Sequence, residues 1–205
     1  MSTAQAPQTA AAAELVANVA TPRTAHEAMV AAGIEVLGPC AGLSARRELM
    51  LESAFLHDFT PQEVEVLGGA MLHVRARPGQ VLIAEDDASD WMLLLLAGTV
   101  DVGKRKAGAE GRRGDGEDTI TRLAVLRAGA VLGEMSMLDG EPRYASCWAL
   151  GDVEAALLTR AAVAGLIRDQ PAVGAKVLVK LTQLLAQRLR NTSNQLVQQL
   201  RKQEA

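Results

Sequence analysis

Between His73 and Thr159 the apolar residues fall in short runs rich in Val, Leu and Ile, cut by RPGQ, EDDASD, LAGTV, RAGAV and LDGEPR. Runs of that length between turn-forming residues predict the strands of an all-β barrel or sandwich. On both sides the period lengthens to that of helices. From about Leu43 to Phe55 the spacing is helical, and Thr60, Pro61 and Glu63 supply the N-cap, N1 proline and N3 glutamate of the next helix. Thr24 and Glu27 make a capping box ahead of AHEAMVAAG, a short helix that Gly33 can stop, and LGPCAG then reads as a loop. After Thr159, RAAVAGLIRDQ predicts one helix, Pro171 a break, and the remaining residues a long final helix. On that helix Thr182, Leu185, Leu189, Thr192, Leu196 and Gln199 recur at alternating three- and four-residue steps. Such a stripe can meet a second copy of the chain or lie on the barrel of its own.

The pattern divides the chain into an Ala-rich N-terminal tail over 1–42, partly disordered or in short helices, a β-roll with flanking helices over 43–170, and a long helix over 171–205. The first twenty residues carry no apolar stripe strong enough to dock a helix. The stretch from Lys104 to Asp118, KRKAGAEGRRGDGED, has no apolar residue larger than Ala and reads as a solvated hairpin connection. Its basic start can contact a nucleic acid or a partner, but acidic residues follow at once and a loop in water needs charges anyway.

Composition narrows the class. At 205 residues with 49% hydrophobic the chain suffices for one core. The longest strongly apolar run, WMLLLLAG, is too short to span a bilayer, and no basic segment precedes a hydrophobic N-terminal stretch, so a cytoplasmic protein without membrane contact is expected. Two cysteines, Cys40 and Cys147, make no disulfide framework, and a net charge of −3 gives no general attraction to nucleic acid. The three histidines, His26, His57 and His73, have no metal-ligand spacing with one another or with the cysteines, and no Ser–His or paired-carboxylate set stands out. No enzyme, no metal and no cofactor is expected.

The candidate chemistry sits in GEMSMLDGEPRYAS, residues 133–146. A helical turn begun by Gly133 and Glu134 presents free backbone N–H groups, which together with the helix dipole favour an anion. Arg143, on the returning strand, can reach that anion with two parallel donors. Glu134 cannot sit on the anion, but it can accept protons from hydroxyls on the same ligand. Anion and hydroxyl in one small pocket suggest a sugar phosphate or nucleotide. A structural Glu–Arg ion pair across a hairpin explains the same two charges.

In order, RPGQVLI, an acidic turn, WMLLLLAGTV, LRAGAVLGE and GEMSMLDGEPRYAS resemble the cyclic nucleotide-binding domain family, from about Leu51 to Leu196. The last of these looks like that family's phosphate-binding cassette. The resemblance implies a mainly β fold, an eight-stranded jelly-roll-like β-roll with helices before and after it. It also implies that Glu134 binds a ribose 2′-hydroxyl and Arg143 a cyclic phosphate, with Gly133 and the backbone around Met135, Ser136 and Tyr144 completing the cradle. A second likeness is in LLAQRLRNTSNQL, which is similar to the central helix of the family's catabolite activator branch. There a Thr–Ser pair contacts the adenine amino group, one hydroxyl from each subunit of a dimer, and here the pair is Thr192 and Ser193.

Two residues depart from the family pattern. Tyr144 stands where a small or hydroxyl residue is usual; it can stack on a base, point outward or block the pocket, and its lack of a short hydroxyl favours cAMP over cGMP. Asp86 stands in the acidic turn where relatives often have glycine. The chain ends at Ala205 without a helix-turn-helix domain, so a stand-alone sensor with no direct DNA binding is expected. The resulting expectation is a bacterial cyclic-nucleotide receptor, a homodimer through its last helix, that binds cAMP in preference to cGMP or cyclic di-GMP and signals to an effector protein by moving that helix. The alternatives are a roll with a closed pocket acting as a ligand-independent scaffold, and a cyclic dinucleotide receptor drawing on Trp148 and the 104–113 loop.

Overall fold

The protein is described by a computed structural model over residues 24–105 and 120–203. The Ala-rich start and most of the charged connection after Arg105 lie outside these residues.

Both capping boxes form. Thr24 accepts from Glu27 N ahead of α1 (Ala25–Ala31), and Thr60 accepts from Glu63 N ahead of α3 (Pro61–Gly69). Between them run β1 (Glu35–Pro39), a 3-10 turn (Leu43–Ala45) and α2 (Arg47–Glu52). Eight further strands follow: β2 (Leu72–Ala76), β3 (Val81–Ile83), β4 (Trp91–Ala97), β5 (Thr99–Arg105), β6 (Ile120–Arg127), β7 (Val131–Leu132), β8 (Ser146–Ala149) and β9 (Val153–Thr159). A short helix α4 (Glu134–Asp139) interrupts them between β7 and β8. The chain closes with α5 (Arg160–Asp169) and α6 (Pro171–Gln203), separated at Pro171 as the sequence predicts.

The strands pair antiparallel in two sheets, β1-β2-β9-β4-β7 and β3-β8-β5-β6. The mainly β roll with flanking helices is therefore present, but as two open sheets with nine strands among the described residues, not a closed barrel of eight. The additional strand is β1. Its Gly38 and Pro39 break the alternation that marks a strand in sequence, and it pairs with β2 across a bulge between Val36 and Gly38.

The all-apolar run of β4 has a structural cause. Trp91, Leu93 and Leu95 face the space between the two sheets, with Ile83, Val100, Leu132 and Cys147, while Met92, Leu94 and Leu96 face the helices, with Phe55, Val64, Leu67, Val163 and Leu166. A central strand covered on both faces needs no polar residue. The last helix joins the second group only by its first turns. Val173, Val177 and Leu181 are buried at four-residue steps, each worth about 1.5–3 kcal/mol. Lys176 Nζ lies 2.6 Å from Glu63 and Lys180 pairs with Asp58, fastening the same turns to α3 and to the segment before it. From Gln187 to Lys202 every residue of α6 is exposed. At 33 residues the helix is about 50 Å long, so half of it projects from the roll. Among the described residues no helix is long and apolar enough to cross a membrane.

Candidate functional site

The site is built where β7 turns into α4. Gly133 is the N-cap of α4 with φ 77°, and a Cβ there would stand 2.7 Å from Arg143 Nη1 and 2.8 Å from Ile83 Cδ1. Both the left-handed backbone and the close approach demand glycine. The turn tucks Glu134 and Ser136 inward, each at most 5% exposed, and leaves Met135 outward at 48%.

Arg143 is only 2% exposed. Its Nε donates to Ser89 Oγ at 2.8 Å, Nη1 to the Gly133 carbonyl at 2.6 Å and Nη2 to the Trp91 carbonyl, and the guanidinium lies 4.5 Å from the centre of the Trp91 ring. Its backbone is clamped as well, N–H to Asp87 O and carbonyl from Asp86 N, both at 2.9 Å. Among the described residues no carboxylate forms an ion pair with it. Burial holds the guanidinium below its ordinary value, against the opposing pull of Asp87, Cys147, Asp90 and Glu134. A desolvated cation held only by neutral groups and a ring favours an anion brought to it. Each Nη carries two hydrogens, so one on each remains after the carbonyl bonds.

The alternative reading of these two charges, a hairpin ion pair between Glu134 and Arg143, is not what forms. Glu134 Oε1 is paired with Nη1 of Arg188, from α6, whose Nη2 donates to the Val131 carbonyl. No hydrogen bond among the described residues reaches Oε2. Sequence reasoning missed Arg188. The signal was present in RLRNTS, since Arg188 is four residues before Thr192 and so on one face of the helix with it. The carbonyls of Trp91 and Val131 were also missed, because backbone acceptors leave no mark in composition, and so was the Ser89 hydroxyl, which stands 54 residues from Arg143 in a turn that reads as solvated.

Gly133, Glu134, Met135, Ser136 and Arg143 are thus brought together at the start of α4. Tyr144 is beside them but turned outward: the residue is 60% exposed, with Lys104 Nζ 4.0 Å from the centre of its ring and donating to the Tyr144 carbonyl at 2.7 Å. It does not fill the site. Thr192 and Ser193 are exposed on the projecting half of α6, and no hydrogen bond joins them to the cassette. Asp86 has φ 68° and pairs with Arg105, so the acidic turn keeps a glycine-like backbone without glycine. A cavity of about 1180 Å³ is lined by Met29, Ile83, Ser89, Trp91, Ser136 and Arg160 among others, so it shares Ser89 and Trp91 with the surroundings of Arg143 and Ser136 with α4, although neither Glu134 nor Arg143 lines it. Among the described residues no cluster of three His, Cys, Asp or Glu is placed to hold a metal ion.

Residues 73–170 match the cyclic nucleotide-binding domain family. The chain is similar to a cyclic nucleotide-binding domain of Methylobacillus flagellatus, with 33% identity and a TM-score of 0.68 over 80% of this chain and 88% of that one. It is 32% identical over 148 residues to the cyclic AMP receptor protein of Thermus thermophilus, covering 72% of this chain and 62% of that protein. A CRP-like cAMP-activated global transcriptional regulator of Mycobacterium tuberculosis is 26% identical over 149 residues, 73% of this chain and 61% of the regulator, so the chain spans less than two thirds of the length of the Thermus and Mycobacterium proteins. On this likeness the chain belongs to the cyclic nucleotide-binding domain family.

Proposed function

We propose that this protein is a receptor for a cyclic nucleotide of the cAMP type, without catalytic activity of its own, acting in the cytoplasm. The observation that carries the reading is Arg143, a buried guanidinium with no carboxylate partner among the described residues, on the chain that returns from the short helix begun by a buried glutamate. The two spare Nη hydrogens of Arg143 and the N–H groups of Met135 and Ser136 receive the cyclic phosphate. Glu134 Oε2 accepts the ribose 2′-hydroxyl while Oε1 keeps Arg188.

The signal runs through Arg188. A ligand seated between Arg143 and Glu134 changes what the carboxylate offers to Arg188, and that change is the differential interaction a population shift requires. The projecting half of α6 then moves, bringing Thr192 and, across a homodimer, Ser193 of a second copy toward the base. Exposed Leu189, Leu196, Val197 and Leu200 on the same half give that second copy an apolar face to meet. The output is altered binding of an effector protein, with no direct reading of DNA. The outward Tyr144 favours this reading over a scaffold whose pocket is closed by that ring.

Calorimetric titration with cAMP, cGMP and cyclic di-GMP in parallel, with Arg143→Ala as control, tests the reading. Binding of cAMP that the control loses supports it. Silence for all three from a folded sample removes it and leaves a ligand-independent scaffold, and a preference for cyclic di-GMP replaces the ligand.

A further inference from the structure

A helix of six residues has almost no internal hydrogen bonding, so the aim of α4 is set by what holds its two ends. Its head is held by Glu134 and Arg188. Its tail is held by Arg160, whose Nε donates to the Met137 carbonyl at 2.7 Å and whose Nη2 donates to the Ser136 carbonyl at 2.9 Å. The Gly140 N–H shares the Ser136 carbonyl at 3.0 Å, and Gly140, with φ 83°, lets the chain leave just below the guanidinium. A cation at the carbonyl end of a helix is electrostatically favoured.

For its own helix Arg160 is ill placed. It is the first residue of α5, whose first turn has no acidic residue and whose cap is Thr159, accepting from Ala162 N at 3.0 Å. The dipole of α5 disfavours a cation there. Its main chain is fixed independently of the side chain, by Arg160 N donating to the Asp90 carbonyl at 2.9 Å.

The helix that Arg160 starts is joined closely to α6. A Cβ on Gly174 would stand 2.6 Å from Ile167 N and 2.7 Å from Ile167 Cα, so the two helices touch backbone to backbone. The same helical pair therefore grips α4 at both ends, α6 through Arg188 and α5 through Arg160. We infer that Arg160 is a positioning residue of the nucleotide site: it fixes the orientation in which α4 presents Glu134 and its N–H groups, and it couples a tilt of α4 to α5 and α6. The binding part of this inference rests on the receptor reading given above.

The test compares the wild type with Arg160→Ala and Arg160→Lys, and uses Arg168→Ala, which removes an exposed pair with Asp169 on the same helix, as control. Amide hydrogen exchange of residues 135–140 and of α6 is read without nucleotide, and cAMP affinity by calorimetry. Arg160→Ala is expected to speed exchange at 135–140 by about tenfold and to weaken cAMP binding by a similar factor, with Lys recovering part of both through one charged donor. The control is expected to match the wild type. Wild-type exchange at 135–140 in Arg160→Ala overturns the assignment whatever the nucleotide does. A wild type that does not bind cAMP sinks the receptor reading alone, because the exchange arm still decides whether Arg160 holds α4.

Discussion

Arg188, on the final helix, holds the buried carboxylate of Glu134 from fifty-four residues away. One partner is 2% exposed and the other 43%, so the pair is neither a surface bridge nor a fully buried one. Removing the arginine leaves a carboxylate in the interior with its main counter-charge gone. Arg188→Ala should cost about 1–3 kcal/mol in urea unfolding, and Glu134→Gln on top of it should recover part of that loss, since an amide tolerates burial better than an unpaired charge. Midpoints for Arg188→Ala and the wild type that coincide would show that the pair contributes no stability.

Gly133→Ala tests the turn that delivers this carboxylate. A left-handed alanine costs about 1–2 kcal/mol before any clash. Here the new methyl would also press on Arg143 Nη1 and Ile83 Cδ1. The guanidinium is bound to the Gly133 carbonyl, so it cannot retreat without giving up a hydrogen bond. The expected outcome is a loss of about 2–4 kcal/mol of stability and a weakening of cAMP binding larger than that of Met135→Ala, whose side chain points outward.

What could be read in advance follows the range of the interactions. The capping boxes at Thr24 and Thr60, the break at Pro171 and the cassette turn are written within a few neighbouring residues, and each was legible. β4 was legible as a strand, while its burial on two faces depends on helices that arrive later in the chain. β1 was lost because Gly38 and Pro39 resemble loop chemistry and only pairing with β2 makes the segment extended. Glu134 and Arg143 stand out in the sequence as two charges on one loop, and of their two readings there the mutual ion pair does not form. Glu134 found a partner on α6, and Arg143 found three neutral acceptors, two of them carbonyls that no side-chain pattern reveals.

The attachment of α6 should depend on pH. Hydrogen bonding to Lys180, then to His57, holds the Asp58 carboxyl below its ordinary value, and hydrogen bonding to Lys176 does the same for Glu63. A carboxyl lowered by folding contributes stability that is fully present above its unfolded value and is lost as pH falls through the folded one. The fastening is therefore intact at neutral pH and disappears below the ordinary carboxylate range. Protection of amides in residues 173–186, taken relative to the intrinsic exchange rate at each pH, should fall on acidification through that window, and Asp58→Asn with Glu63→Gln should remove most of that fall. A double variant as pH-sensitive as the wild type would assign the effect to other carboxyls.

The two thiols give a readout of how the roll opens. Cys147 faces the space between the sheets at 5% exposure, and burial pushes its thiol up to about 12, opposed by Arg143. Cys40, 3% exposed against the helical side, is also raised by burial. At pH 8 a thiol near 12 is ionised to about one part in ten thousand, and the thiolate is the reactive form. Native protein should therefore react with an aromatic disulfide reagent only as fast as it unfolds, while denatured protein yields both thiols at once. Because Cys147 lies on β8 between β3 and β5, and Cys40 follows β1 at the other sheet, equal rates would mean that the two sheets open as one unit. Faster labelling of Cys40 alone would mean that β1 separates from β2 before the sheet that carries β8 is disturbed.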